Sequence, residues 1–422
     1  MKMSLPWKDE SGLFRHGSML VAGTLVGALC NAGFHMVVGR TLPNAEYGAL
    51  IAMLGIILAA TTPALALQNT LAHFTSKLVK ENRREEVIGL FLHWVRLFVM
   101  LSVIIVVGAF VFSAQLASFW DGVAPGLVVA TFAVLAASLW ISLFYGLLQG
   151  LQSFTWLAWA PQALGAMRLL FAWGLTVYIS ATALAAVGAQ GIGVLAVLAL
   201  YVWAVFAMRL PPWRAAVRPH ETYRYLGSAL VCLAGYAMLM NLDTTLARHY
   251  FDPETTGLFS KAATIARTAV FLPVPIATVL FPKVTSSGGL TDESWRLLGR
   301  AMAFAGLLIA SVVGVCLLWP QLPWTILYGP IPADAAAAAM ELTRAMVLAM
   351  SPLALAYLLL NFEMAQQRFF WCFGLVPCGI AYVVGVARYH AHPVQIAIVL
   401  GTLNLVAGGL LLAGVMAQRR RG

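Results

Sequence analysis

Five basic residues stand where basic residues are expensive. Arg96, Arg168, Lys261, Arg267 and Arg344 interrupt long apolar runs of a 422-residue chain, and Asp243 is the acid set among them. A cation at the centre of a membrane helix costs about 2.5–3.5 kcal/mol on insertion scales, so it needs water, a partner or a ligand. The strongest group is Lys261, Thr264, Arg267 and Thr268. On a helix, Lys261, Thr264 and Thr268 share a sector of about 60°, with Arg267 about 60° beyond Thr264 and about 9 Å along the axis from Lys261. Two cations and two hydroxyls on one polar face suit diphosphate oxygens, Arg through a bidentate fork and Lys as a point charge. The alternative is an interhelical salt bridge, for instance to Asp243.

The other candidates carry their own alternatives. Arg168 falls near the middle of an apolar segment and reads as lining a cavity. Arg96, beside His93 and Trp94, also reads as a residue that snorkels to the surface. Arg344 follows Glu341 by three residues, the spacing of a local ion pair. The candidate anion-binding set is therefore Lys261, Arg267, Arg168, Arg96 and Arg344. Asp243 either pairs with Arg248, just over one turn on, or titrates as a coupling site; His35 is a second coupling candidate, against a hydrogen-bonded core histidine.

The elements that position these residues must be membrane helices. The chain is 61% hydrophobic and 10% charged, against about 25% charged in soluble domains. That composition excludes a soluble enzyme and a disordered or fibrous chain. A span takes about 20 apolar residues, and the charge-poor runs predict twelve: 15–38, 46–71, 89–113, 125–147, 156–178, 188–208, 225–246, 257–280, 299–318, 339–360, 369–388 and 393–415. No apolar sequence remains for a fourteen-helix count. The expected fold is an all-α polytopic membrane protein of two six-helix bundles, 1–210 and 225–422, joined by a basic cytoplasmic linker, 211–224.

Placing the N-terminus in the cytoplasm puts 18 of the 26 Lys and Arg residues in inner segments and three, Arg40, Arg248 and Arg388, in outer ones. This positive-inside bias orients both termini inward and accounts for the net charge of +10 without nucleic acid. The first apolar run is too long for a cleaved signal, and the lead-in from Leu5 to Arg15 suits the membrane surface. Trp120, Trp319, Trp324 and Tyr328 read as interfacial anchors. Five cysteines within spans read as core residues, with no metal-binding spacing. No lysine follows a glycine, so there is no phosphate-binding loop of the ATPase type. Gly188, Gly191 and Gly193 read as close helix packing. No long outer loop or paired-acid motif is present to make an enzyme, and no cofactor is implied.

The chain also repeats. After the first span it reads Gly39-Arg40-Thr-Leu-Pro-Asn-Ala-Glu46-Tyr47-Gly48; after the seventh, Ala247-Arg248-His-Tyr-Phe-Asp252-Pro-Glu254-Thr-Thr-Gly257. Gly48 and Gly257 are 209 residues apart, and Pro63 and Pro275 are 212 apart. Six helices repeated on six preserve orientation, which makes a parallel repeat about the membrane normal, an architecture of secondary transporters. Pro273, Pro275 and Pro282 would kink the inner end of the eighth span and give it a flexing point.

The repeat-turn residues Arg40, Tyr47, Gly48, Arg248 and Gly257 carry a family resemblance. The first turn resembles that of the polysaccharide flippases of the multidrug/oligosaccharidyl-lipid/polysaccharide exporter superfamily. So does the window from Asn241 through Asp243, Tyr250, Gly257 and Lys261 to Phe271 and Pro282. Together they cover roughly 60 residues. The resemblance implies two bundles around a central cavity, and transport of a polyprenyl-diphosphate-linked oligosaccharide across the cytoplasmic membrane. It also implies glycosyltransferases and a polymerase as pathway partners. The chain lacks the extra helix pair of the peptidoglycan-precursor flippases. A multidrug exporter of the same superfamily, which would favour acidic cavity residues, is the alternative.

Overall fold

A computed structural model of the chain describes residues 10–120, 123–208, 220–271, 292–366 and 368–419. They form fifteen α-helices, one 3-10 turn and no strand. The first half contains α1 (Glu10–Thr41), α2 (Asn44–Lys80), α3 (Arg84–Val111), the short α4 (Ser113–Ser118), α5 (Pro125–Gly150), α6 (Phe154–Tyr178) and α7 (Ala183–Ala207). The second contains α8 (His220–Asn241), α9 (Asp243–Tyr250), α10 (Pro253–Phe271), α11 (Asp292–Leu318), the short α12 (Gln321–Tyr328), α13 (Ala336–Ala365), α14 (Leu375–Arg388) and α15 (Pro393–Arg419). Helices α8 and α9 form a pair bent by 51° at Leu242; with that pair counted once and the short α4 and α12 set aside, the described helices match the twelve-helix arrangement expected.

Seven described helices are by themselves long and apolar enough to cross a membrane, and the α8–α9 pair adds an eighth. Helices α6 and α10 are not among them, and both carry intramembrane cations. Helix α3 is the opposite case: Met100, Ile104 and Phe110 are exposed, the apolar surface that lipid requires of a peripheral helix.

Within the first half, α1 packs on α6, α6 on α7, and α5 on α2, α3 and α7; within the second, α13 packs on α10, α11 and α15, and α14 on α8 and α15. The halves meet chiefly where α2 crosses α8, α9 and α10. The bend after Asn241 has a local cause. Its amide Nδ2 donates back to the Ala237 carbonyl at 3.2 Å, competing for the helical ladder. Beyond the bend, Thr245 Oγ1 donates to the Ala52 carbonyl of α2 at 3.0 Å. The first turn of α9 is thereby tied to the other half.

The repeated glycines meet each other. A Cβ on Gly48 would lie 2.9 Å from the Gly257 nitrogen, and one on Gly257 would lie 2.2 Å from the Asn44 carbonyl oxygen. Equivalent positions in contact across the junction are what a two-fold repeat axis between the halves produces. The Gly188–Gly193 stretch packs helices as expected only in part: Gly193 abuts the Leu164 carbonyl, while Gly188 has nothing near it. The five cysteines are unbridged. Pro273, Pro275 and Pro282, residues 5–9 of the lead-in and most of the 211–224 linker lie outside the described residues.

Candidate functional site

The turn motif is explained by what its residues cap. Arg40 donates Nη2 to the Ile326 carbonyl at 2.8 Å and Nε to Leu327 at 3.3 Å, a cation on the open carbonyls at the C-terminal end of α12. Glu46 takes the Ala183 N–H at 2.6 Å, an anion on the first turn of α7. Tyr47 is fully buried. Its hydroxyl lies 3.1 Å from the Tyr328 hydroxyl, 3.3 Å from Thr264 Oγ1 and 3.4 Å from His35 Nδ1. One phenol thus joins α1, α2, α10 and α12 at the junction of the halves.

The predicted polar face of α10 turns into this junction except at Thr268. Lys261 and Arg267 are buried, Thr264 is half-buried and Thr268 is exposed. Lys261 donates Nζ to Asn44 Oδ1 at 2.7 Å and sits 5.4 Å and 5.7 Å from the Tyr328 and Tyr47 ring centroids, within cation–π range. Asn44 donates Nδ2 onward to the Glu254 carboxylate. Arg267 donates Nη2 to Asp243. The salt bridge considered for this helix is therefore formed, and the partner of Asp243 is Arg267 of α10 instead of the expected Arg248. The bend between α8 and α9 brings Asp243 to the start of a new helix facing α10.

Arg168 reaches the same region from the first half. It donates Nη1 to Gln190 Oε1 at 2.9 Å and Nη2 to Asn31 Oδ1, with its guanidinium 4.1 Å over the Phe34 ring. Among the described residues its partners are neutral. His35 follows Phe34 in α1, and its Nδ1 lies 3.4 Å from the Tyr47 hydroxyl. Arg168, stacked on Phe34 beside His35, and Lys261 and Arg267 of α10 thus flank the Tyr47 cluster from the two halves, with Asp243 on Arg267 and Glu254 on Asn44.

Two candidates stand elsewhere. Arg96 is exposed and shares a face of α3 with Met100 and Val103, both exposed; this is the placement of a snorkelling residue. Arg344 is exposed and donates Nε to the Leu317 carbonyl at 3.2 Å; the described ion pairs do not join it to Glu341. Both are exposed, whereas Arg168, Lys261 and Arg267 are buried.

Sequence reasoning missed Asn44, Gln190 and Tyr328. Trp319 is exposed as an anchor would be, but Trp120, Trp324 and Tyr328 are buried. Trp324 donates Nε1 to Thr343 at 2.6 Å, and Tyr328 donates to the Lys261 carbonyl at 3.3 Å. The short α12 folds these rings inward. Its aromatics at a span end carried the sequence signal of an anchor, and nothing local distinguishes the two.

The arrangement corresponds to known structures over nearly its whole length. No family model matches the sequence, and no curated protein does. Among solved structures, an inward-facing multidrug resistance MATE family transporter of the MOP superfamily superposes with a TM-score of 0.75 at 13% identity, covering 94% of each chain. The lipid II flippase MurJ in an inward closed conformation gives 0.72 at 12% identity, covering 94% of this chain and 87% of that one. A MOP superfamily transporter from Pyrococcus furiosus, described as having a binding pocket of reversed polarity, gives 0.71 at 13% identity, covering 96% and 94%. The chain has the fold of the MOP superfamily transporters, the fold its turn motifs resemble.

Proposed function

We propose that this protein is an alternating-access transporter that flips an anionic, polyprenyl-diphosphate-linked oligosaccharide across the cytoplasmic membrane. The observation that carries the reading is the charge of the junction: three cations, Arg168, Lys261 and Arg267, stand there against two carboxylates, Asp243, which is paired with Arg267, and the exposed Glu254, which takes the Asn44 amide. A site of that sign attracts a diphosphate and repels the cationic drugs of a multidrug exporter. The prenyl tail stays in lipid while the head group enters between the bundles 1–210 and 225–422, which rock about it. The basic ends, at Lys77, Arg296 and Arg419, face the cytoplasm with both termini. An inside-negative potential then favours expulsion of an anion by about 2.3 kcal/mol per charge per 100 mV. The sugars are built and joined by glycosyltransferases and a polymerase of the same pathway. No step requires a cofactor.

The test is export of the lipid-linked oligosaccharide in cells lacking their own transporter. The Arg168→Ala/Lys261→Ala double variant is expected at normal abundance with export abolished. Full export by that variant would remove the cationic junction from the mechanism. Export of cationic dyes in its place would establish the multidrug reading.

A further inference from the structure

Asn44 is a side chain of the first half that holds the second at Lys261. It opens α2 in the first half; its Oδ1 accepts from Lys261 Nζ at 2.7 Å, and its Nδ2 donates to Glu254, both on α10 of the second. Four residues on, Gly48 and Gly257 bring the two backbones together, closer than any Cβ allows. The repeat-turn ends of α2 and α10 are therefore closed on each other, and Asn44 is the polar clasp at that closure. The ammonium it holds is also one of the cations of the junction, seated between the Tyr47 and Tyr328 rings. Lys261 has three N–H donors, and an anion with formal charge is a stronger acceptor for them than a neutral amide oxygen.

We propose that Asn44 competes with the anionic head group for Lys261, so that cargo binding undoes the clasp and allows the repeat-turn ends of α2 and α10 to part. This rests on the reading of the cargo as a diphosphate and adds what makes opening depend on it. Without cargo, Lys261 closes the exit; with cargo, the same ammonium is withdrawn from the gate. Arg267 cannot serve in this way, because its acceptor is the Asp243 carboxylate of its own half. A ligand shifts such an equilibrium only by its differential affinity for the two states, and the exchanged contact supplies that difference.

The experiment uses the full chain in lipid nanodiscs, with inorganic diphosphate as probe. Calorimetry reads affinity. Nitroxide labels at Ser180 and Ala391, both exposed in turns at this end, read its opening. Diphosphate is expected to lengthen the distance in the unmodified protein. Asn44→Ala is expected to show the longer distance without diphosphate and to bind it about tenfold more tightly, the size of one hydrogen bond to a charged group. Asn44→Asp, which offers Lys261 a carboxylate, is expected to bind it about tenfold more weakly. Unchanged affinity and distance in both variants, with binding intact in the unmodified protein, would overturn the clasp and leave the proposed cargo standing. Absence of diphosphate binding to the unmodified protein would overturn the cargo reading and the competition together.

Discussion

Arg168 and Arg267 are both buried guanidinium groups on the inner faces of the two halves, and the two halves handle them differently. Arg267 has a carboxylate, Asp243, held against it by the α8–α9 bend. Arg168 has two amide oxygens and a phenyl ring. The first is an ion pair, whose charge is cancelled where it stands. The second is a solvated cation whose solvent is the protein, and its field is left to act on whatever enters. The repeat that shapes both halves is thus a repeat of backbone, and its charges are distributed unequally. The second half supplies the compensated pair and the clasped Lys261; the first supplies the cation that lacks a counter-charge among the described residues.

The largest expected effect follows from breaking the pair. Asp243→Ala leaves Arg267 buried and unpaired, which is expected to cost about 3–5 kcal/mol and to deplete the folded protein recovered in detergent. Asp243→Ala/Arg267→Ala is expected to recover most of that loss. A single variant as thermostable as the unmodified protein would mean that water or another anion already reaches Arg267, and the contrast with Arg168 would collapse.

The same substitution applied to the two arginines sharpens the comparison. Arg267→Ala strands a buried carboxylate and is expected to destabilise. Arg168→Ala removes a buried cation from neutral neighbours and is expected to melt no lower than the unmodified protein, because the insertion cost of the charge disappears. Its export is expected to fall about tenfold or more, the loss of one charge-assisted hydrogen bond to cargo. Equal melting shifts for the two variants would show that the difference in partners has no energetic consequence.

A smaller effect separates the two repeat glycines. Overpacking a close contact costs about 1–3 kcal/mol. Gly257→Ala places its methyl 2.2 Å from a backbone carbonyl and Gly48→Ala 2.9 Å from a backbone nitrogen, while Gly108 has nothing within 4 Å. The expected order of melting temperatures is Gly257→Ala lowest, Gly48→Ala next, and Gly108→Ala unchanged. Gly48→Ala falling below Gly257→Ala would reverse the asymmetry read from the backbone contacts.

The fold and half of the site were legible in the sequence for physical reasons that stop at identifiable residues. Hydrophobic runs of span length have one outcome in a membrane, so the twelve spans and the repeat could be read before any coordinates. Lys261 and Arg267 announced themselves because a cation in a span must be solved by something. What solves it is a tertiary matter. Arg96 and Arg344 each had a local reading, snorkelling and an ion pair, that Arg168 lacked, and the fold leaves both exposed while it buries Arg168. Asp243 has Arg248 in its own helix, yet the bend after Asn241 turns it to Arg267. Tyr328 and Asn44 carry no unusual local cost, so nothing in their neighbourhood marks them; their role arises from the meeting of turns more than 200 residues apart.

The smallest expected effect lies in how the two repeat turns start their second helices. Helix α2 begins after Pro43 with no side-chain cap, and its turn acid, Glu46, is spent on α7. Helix α10 begins after Asp252, whose Oδ1 accepts the N–H groups of Glu254 and Thr255, each at 3.0 Å. The Thr255 side-chain hydrogen bond and then these backbone N–H groups hold the Asp252 carboxyl below the ordinary value of 3.8. A folded-state value below the unfolded one means stability that is fully present above the unfolded value and is lost as pH falls through the folded one. Asp252→Ala is therefore expected to cost about 1 kcal/mol at neutral pH, as loss of an N-cap does. The difference between variant and unmodified protein should narrow only below about pH 4, where the unmodified carboxyl begins to protonate. Melting curves at pH 7 and pH 3 read both terms. A difference of the same size at the two pH values would show that Asp252 acts through its shape and not its charge.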